Sequence, residues 1–268
     1  AYAIMSNHYH AVLHINVARA KAWSDIEVVD RWHQLFSGTV MSQTFLKDGT
    51  LPSEQMVVFQ GVIDKWRARL QDISWFMRVL NEAIAREANQ EDKCTGRFWE
   101  GRFKSQALLD EAALLACMVY VDLNPIRAKM AKTPEKSDYT SVKKRCTKAT
   151  KSKKPSTINQ QDNSLLPFVG NPRKNQPQGI QVRLSDYLNL VDCTGRIIRD
   201  DKRGYIDSNT EKILQRLDID EDQWLEMARD FEGCFSSFVG SEKHLRIASE
   251  QLKYQRPPGL SSCKRIFH

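Results

Sequence analysis

A basic, weakly patterned segment in the middle of the chain constrains its fold more than any other feature. Residues 131–180 carry 11 Lys and Arg against 3 Asp and Glu, whereas residues 1–130 and 181–268 have net charges of 0 and −1. The segment is rich in Lys, Ser, Thr, Asn, Gln and Pro, and it offers few apolar residues for a core. The sequence therefore predicts patterned regions at 1–130 and 181–268, joined by a basic, flexible linker at 131–180. Phosphate is the natural electrostatic partner of such a linker.

The composition excludes several classes of protein. With 268 residues, 41% of them hydrophobic, the chain can bury a substantial core. No run approaches 18 apolar residues, so no membrane span is expected, and Ala1–Asn16 lacks the features of a signal peptide. The six cysteines are widely spaced without a C-x-x-C pair, which is untypical of zinc ribbons and secreted disulfide scaffolds. We expect a cytoplasmic protein with reduced thiols.

Hydrophobic spacing and capping residues predict an alternation of strands and helices. Period-two alternation predicts a strand over Tyr2–Ile15, and Ser24 with Glu27 forms a capping box at the start of a helix. Residues 38–53 are expected to be a loop and Gly96–Leu109 to be extended. Further helices are expected at Ser53–Leu70, after Asp72, from Asp110 to Asn124–Pro125, and at Ser185–Val191, Ser208–Leu217, Glu221–Phe231 and Ser241–Leu252.

Two histidines share one face of the predicted first strand. Because side chains alternate along a strand, His8 and His10 project from the same face with Cα atoms about 6–7 Å apart. From there both imidazoles can reach one divalent ion. His14 lies about 13 Å beyond His10 on that face and is not expected to join them. An ordinary surface pair is the alternative interpretation of the H-x-H pattern.

A tyrosine and an asparagine lie one helical turn apart near the end of a predicted helix. Tyr120 and Asn124 are spaced i, i+4 and so share a helix face. A phenol with a reference pKa of about 10 is a weak nucleophile, and a nearby metal that polarises the electrophile would assist it. The Asn124 amide oxygen is a suitable ligand for a hard cation. A core tyrosine is the alternative interpretation of Tyr120.

The two motifs together resemble a known family. Residues 5–13 (MSNHYHAVL) resemble the metal-binding HUH motif of single-tyrosine HUH transposases. Residues 120–128 (YVDLNPIRA) resemble the nucleophile helix of the REP-associated tyrosine transposase group, and residues 96–105 (GRFWEGRFKS) resemble the strand before that helix. The resemblance covers residues 1–130, about half of the chain.

The resemblance implies an α+β catalytic domain with a ferredoxin-like antiparallel sheet, and a chemistry for its residues. His8, His10 and Asn124 would hold Mg²⁺ or Mn²⁺, and Tyr120 would attack the scissile phosphate of single-stranded, hairpin-forming DNA. The products would be a 5′-phosphotyrosine link and a free 3′-OH, which then rejoins the strand. Relatives act as dimers or monomers, so a homodimer stays open, and the DNA-bound protein would lie on the nucleoid.

The family pattern also implies a missing portion. In the family the histidine strand is central in the sheet, whereas here it is the first element of the chain. We therefore expect the catalytic domain at 1–130 to lack one strand and one helix at its N-terminus. Residues 181–268 are expected to form a small helical domain of unknown role.

Several basic residues are candidate DNA contacts. In the 96–105 stretch, cations flank aromatic side chains on which bases could stack, although a half-buried strand with snorkelling cations explains the same pattern. Others lie after the tyrosine helix and in the basic segment. The candidates are Arg97, Arg102, Lys104, Arg127, Lys143, Lys144 and Arg145.

Three other functions remain as alternatives. The chain could be a DNA-hairpin-binding remnant without cleavage activity, or a fragment that does not fold. It could also be a replication-initiator or relaxase-type HUH nuclease, but it lacks the G-x-x-x-x-G-K-[ST] loop of an associated helicase.

Overall fold

The described residues form two compact units. A computed structural model describes residues 1–154, 156–171, 173, 176–198, 214–215 and 219–267. One unit, here called the discontinuous unit, combines Ala1–Leu13 with Ser105–His268, and the inserted unit is His14–Lys104. This division differs from the expected one, since the histidine segment groups with the second half of the chain and not with residues 14–104.

The protein is α+β, as predicted, and mainly helical. The strands are β1 Tyr2–Ile4, β2 Tyr9–Ala11, β3 Ala107–Leu108 and β4 Phe238–Val239. The helices are α1 Val17–Ala22, α2 Asp25–His33, α3 Val40–Asp48, α4 Ser53–Leu70, α5 Ile73–Glu91, α6 Glu111–Asp122, α7 Asn124–Arg127, α8 Ser141–Thr150, α9 Leu184–Ile198, α10 Glu221–Cys234, α11 Glu242–Gln251 and α12 Leu260–Ile266, with 3₁₀ turns at Pro134–Lys136 and Ile158–Gln160. The helix expected at Ser208–Leu217 falls largely outside the described residues.

The first predicted strand is a hairpin. Strands β1 and β2 pair antiparallel with Ala3 opposite His10, and the Met5 amide donates to the His8 carbonyl at 2.9 Å across the turn. Ser6 and Asn7 are turn-forming residues because their side chains compete for local backbone hydrogen bonds. The single strand expected over Tyr2–Ile15 was therefore wrong.

The sheets are small in the part of the chain that the structure describes. Strand β2 has β1 as its only strand neighbour there, and β3 and β4 form a separate parallel pair. An isolated bridge joins Ala3 of β1 to Thr140, just before α8. Strand β1 thus lies between β2 and the residue that caps α8.

The inserted unit has an aromatic core. The Trp32 and Trp66 rings stack at 4.9 Å, and Phe59 packs edge-on against Trp66. Residues 38–53, expected to be a loop, contain α3, since Thr39 and Ser42 form a capping box and a left-handed glycine ends the helix.

Helix α6 is the centre of the core in the discontinuous unit. Asp110 caps it by accepting from the Ala113 amide, as predicted. Apolar residues surround this helix on nearly all sides, which is typical of a fully buried helix. Helix α10, about 100 residues later in the chain, packs along it.

The expected flexible linker is partly an ordered part of the same unit. Helix α8 lies within residues 131–180 and buries Val142 completely, and Phe168 is also fully buried. Two apolar residues so far apart give no periodic signal, which is why the composition indicated a linker.

A buried carboxylate connects three helices of this unit. Asp122, at the end of α6, is fully buried and accepts from the Ser141 hydroxyl of α8 at 2.6 Å. It also accepts from the Tyr187 hydroxyl of α9 at 2.5 Å. Burial raises the pKa of Asp122, and the two hydroxyl donors oppose this rise by stabilising the charged form.

Tyr187→Phe should lower the free energy of unfolding by about 1–3 kcal/mol, because it removes one donor from a buried carboxyl group. Tyr139, which is 75% exposed, provides the matched control, and Tyr139→Phe should change stability by less than about 0.5 kcal/mol. Urea titrations followed by circular dichroism measure both variants. Equal stability of the two would show that Asp122 does not depend on the Tyr187 donor.

Candidate functional site

The β1–β2 hairpin holds the two histidines of the H-x-H pattern side by side. His10 lies in β2 and His8 immediately precedes it. Their ring centroids are 5.0 Å apart and the rings meet edge to face. The sequence-based expectation that His8 and His10 share one face is therefore confirmed. His14 belongs to the inserted unit.

Both imidazoles have a protein oxygen at Nδ1. His8 Nδ1 lies 2.7 Å from Oδ1 of Asn7, and His10 Nδ1 lies 3.2 Å from Oε1 of Glu232. Burial lowers the pKa of His10, while the Glu232 carboxylate opposes this and His8 and Arg127 add to it. At neutral pH the His10 ring is therefore neutral, with one nitrogen able to coordinate a cation.

The side chain of Tyr120, from α6, lies beside His10. The Tyr120 and His10 ring centroids are 5.9 Å apart, and Phe231 of α10 lies 5.8 Å from Tyr120 on another side. Tyr120 is only 9% exposed. One chain thus brings His8, His10 and Tyr120 together from segments more than 100 residues apart.

An arginine covers the tyrosine ring. The Arg127 guanidinium lies 3.5 Å from the Tyr120 ring centroid, and Nη1 donates to the Ala228 carbonyl of α10 at 2.8 Å. Burial raises the pKa of Tyr120, Arg127 opposes the rise, and Glu232 and Asp230 add to it. The phenol is therefore protonated at neutral pH, and Arg127 is the group placed to stabilise its anion.

Asn124 begins α7 after a break in the helix. Pro125 has no amide hydrogen to continue the α-helical ladder, so α6 ends at Asp122 and α7 starts at Asn124. The Asn124 side chain is buried, and its Nδ2 has no hydrogen-bond partner within the described residues. A buried amide donor without a hydrogen-bond partner costs stability.

The basic candidates occupy different positions. Lys143 and Lys144 lie on the outer side of α8, where Lys143 pairs with Asp138 and Lys144 contacts the Ser164 hydroxyl at 3.3 Å. Arg145 differs from the expectation, because it is 3% exposed and its guanidinium stacks on Phe168 at 4.6 Å. Arg145 is therefore a core residue and does not present its charge to a phosphate.

Arg97, Arg102 and Lys104 belong to the inserted unit, in a stretch without regular secondary structure. All three are exposed, and Arg97 Nε donates to the Trp99 carbonyl at 2.8 Å. The Trp99 indole in turn donates to the Asn81 carbonyl at 2.9 Å, so its ring is held by α5.

Residues of α10 that the sequence did not indicate complete the site. Glu232 contacts His10 and Phe231 contacts Tyr120, while Asp230 has non-helical backbone angles, φ −145° and ψ 63°. The kink bends α10 where it passes the site. The only sequence signal was the apolar spacing over Glu221–Phe231, which indicates a buried face and not what that face contacts.

The donors are compatible with the metal that the resemblance implies. Nowhere in the described residues do three or more His, Cys, Asp or Glu side chains group closely enough to hold an ion. The predicted set contains two imidazoles and one amide, His8, His10 and Asn124. Imidazole nitrogen with a carbonyl-type oxygen suits a divalent cation such as Mn²⁺, and water can complete the coordination of Mg²⁺.

Comparisons with protein-family models, with curated proteins and with solved structures found no match to this chain. Among the described residues, no helix combines the length and apolar character that a membrane crossing requires.

Proposed function

We propose that this protein is a metal-dependent DNA strand transferase of the HUH tyrosine transposase type, with Tyr120 as its nucleophile. The observation that carries the proposal is that His8, His10 and Tyr120 lie side by side. The ring centroids of His8 and His10 are 5.0 Å apart, and those of His10 and Tyr120 are 5.9 Å apart. On this proposal the β1–β2 pair is part of a ferredoxin-like antiparallel sheet.

The proposed reaction exchanges one phosphodiester for another. The Tyr120 oxygen attacks the phosphorus of single-stranded DNA, the bond from phosphorus to the 3′ oxygen breaks, and that oxygen leaves as a 3′-OH. Tyr120 gives up its proton to solvent as the new bond forms, the leaving 3′ oxygen takes up a proton from solvent, and Arg127 stabilises the negative charge on the phenol oxygen. A 3′-OH then attacks the phosphotyrosine and restores both the DNA strand and the free Tyr120, so no nucleotide is hydrolysed.

His8, His10 and Asn124 are the proposed ligands of Mg²⁺ or Mn²⁺, and a bound ion supplies Lewis-acid polarisation of the scissile phosphate. The protein contribution is the placement of the ligands. The hairpin fixes the spacing of the imidazoles, and the α6–α7 break fixes the position of the amide beyond Tyr120.

A covalent adduct tests this function. Full-length protein is mixed with 5′- or 3′-labelled single-stranded hairpins taken from the DNA that flanks the coding sequence, with Mn²⁺ or with EDTA. We expect a labelled protein band on a denaturing gel with Mn²⁺ and none with EDTA. Absence of this band from a folded protein that binds the same hairpins would contradict strand transfer.

DNA binding without cleavage is the second candidate, and the burial of Tyr120 favours it. A phenol that is 9% exposed, lies against Phe231 and has a raised pKa is shielded from an incoming phosphate unless the site opens. A chain that binds hairpins tightly but yields no adduct in Mn²⁺ would support this candidate.

The double variant Lys143→Gln/Lys144→Gln should weaken DNA binding most at low salt. Each phosphate contact to single-stranded DNA contributes about 0.7 to the slope of log K against log salt, so the slope should fall in magnitude by about 1.4. Fluorescence anisotropy titrations between low and moderate salt measure this slope. Lys243→Gln/Lys253→Gln, on and after α11, serves as the charge-matched control, and an equal change in both would indicate a general charge effect.

A further inference from the structure

The carboxylate of Glu232 is placed to control one of the two imidazoles. Its Oε1 lies 3.2 Å from His10 Nδ1, and 55% of its side chain is exposed while that of His10 is 18% exposed. Glu232 belongs to α10, whose Phe231 packs against Tyr120 and whose Ala228 carbonyl accepts from Arg127. The helix is therefore held against the site immediately before Glu232.

His8 also has an oxygen acceptor at Nδ1, but this oxygen comes from its neighbour in the hairpin and not from α10. Its Nδ1 lies 2.7 Å from the Asn7 Oδ1, one residue earlier in the hairpin turn. A neutral imidazole carries one N–H, and an oxygen acceptor at Nδ1 favours the tautomer with the proton on that nitrogen. In both rings the oxygen at Nδ1 thus favours the tautomer whose Nε2 carries the lone pair and can bind an ion.

We propose that Glu232 is a positioning residue that fixes the tautomer and ring orientation of His10, so that His10 Nε2 is presented to a divalent cation. The inference rests on the proposed function of the site. Glu232 acts through His10 and not as a ligand, because its carboxylate contacts Nδ1, on the side of the ring away from Nε2. The inference gives the C-terminal region, which carries no motif of its own, a role in the site.

Mn²⁺ binding without DNA tests the inference on the full-length chain. Electron paramagnetic resonance of free Mn²⁺ gives the dissociation constant, and ¹⁵N chemical shifts of the imidazoles give the tautomer at a pH where both rings are neutral. Glu232→Ala should weaken Mn²⁺ binding about 10- to 100-fold, as is usual when the acceptor behind a ligating histidine is lost. It should also shift part of the His10 population to the other tautomer.

Two further variants separate positioning from a general effect of α10. Glu232→Gln retains an oxygen acceptor for Nδ1 and should restore most of the affinity and the original tautomer. Glu226→Gln, on the same helix but paired with Arg265, should leave both measurements unchanged.

The outcomes distinguish the inference from the proposed function. If the wild-type protein and Glu232→Ala bind Mn²⁺ equally well, and His10 keeps the same tautomer in both, the positioning role alone is overturned. Folded wild-type protein that binds no Mn²⁺ would overturn the metal-dependent function and this inference with it. A Glu232→Gln variant as weak as Glu232→Ala would also contradict positioning, because the acceptor is still present.

Discussion

Tyr120→Phe is expected to eliminate the covalent protein–DNA product while leaving the fold and DNA binding intact. The substitution removes only the phenol oxygen, so the ring can keep its contacts with His10, Phe231 and Arg127. No other atom of the site can form the proposed phosphotyrosine bond. We expect the adduct to fall below detection, at least about 1,000-fold, as for other nucleophile deletions.

The measurement compares adduct yield and hairpin affinity in the same preparations. Tyr139→Phe, an exposed tyrosine in the same unit, should give wild-type yield and affinity. An adduct of unchanged yield in Tyr120→Phe would show that another residue is the nucleophile and would remove the basis of the proposed mechanism.

Trp224→Ala is expected to cause the largest loss of stability in the discontinuous unit. Trp224 lies on α10, is 1% exposed, and its indole donates to the Thr194 hydroxyl of α9 at 3.0 Å. Removing a buried indole costs about 3–5 kcal/mol, a large share of the 5–15 kcal/mol that stabilises a typical domain. Because Phe231 and Glu232 are on the same helix, adduct formation and Mn²⁺ binding should be lost together.

Urea titration measures the loss, and Trp224→Phe gives an intermediate case. Phe fills most of the space but cannot donate to Thr194, so it should cost less than Ala and should keep Mn²⁺ binding. Normal Mn²⁺ binding by a Trp224→Ala protein with a displaced α10 would show that the histidine site does not need this helix.

Features set by neighbouring residues could be predicted from the sequence. The caps at Ser24, Asp72 and Asp110 were identified because each side chain accepts from the backbone amide three residues later. The shared face of His8 and His10 follows in the same way from the strand period.

Features that depend on distant residues could not be predicted. Glu232 and His10 are separated by more than 200 residues, and no local pattern in α10 indicates which helix or hairpin it meets. Arg145 was assigned to a charged surface because its neighbours are lysines, yet Phe168 provides a ring that buries its guanidinium. The hairpin was taken for one strand, but its turn pairs Ala3 with His10 and so changes which positions share a face.

The contact between His10 and Glu232 affects when the proposed activity can appear during synthesis. During synthesis His8, His10 and Tyr120 leave the ribosome first, and Glu232 follows Tyr120 by 112 residues. At translation rates of about 5–20 residues per second this interval lasts roughly ten seconds. We expect a nascent chain to carry the nucleophile before it carries the residue that orients His10, so that full Mn²⁺ affinity appears only after α10 has been synthesised.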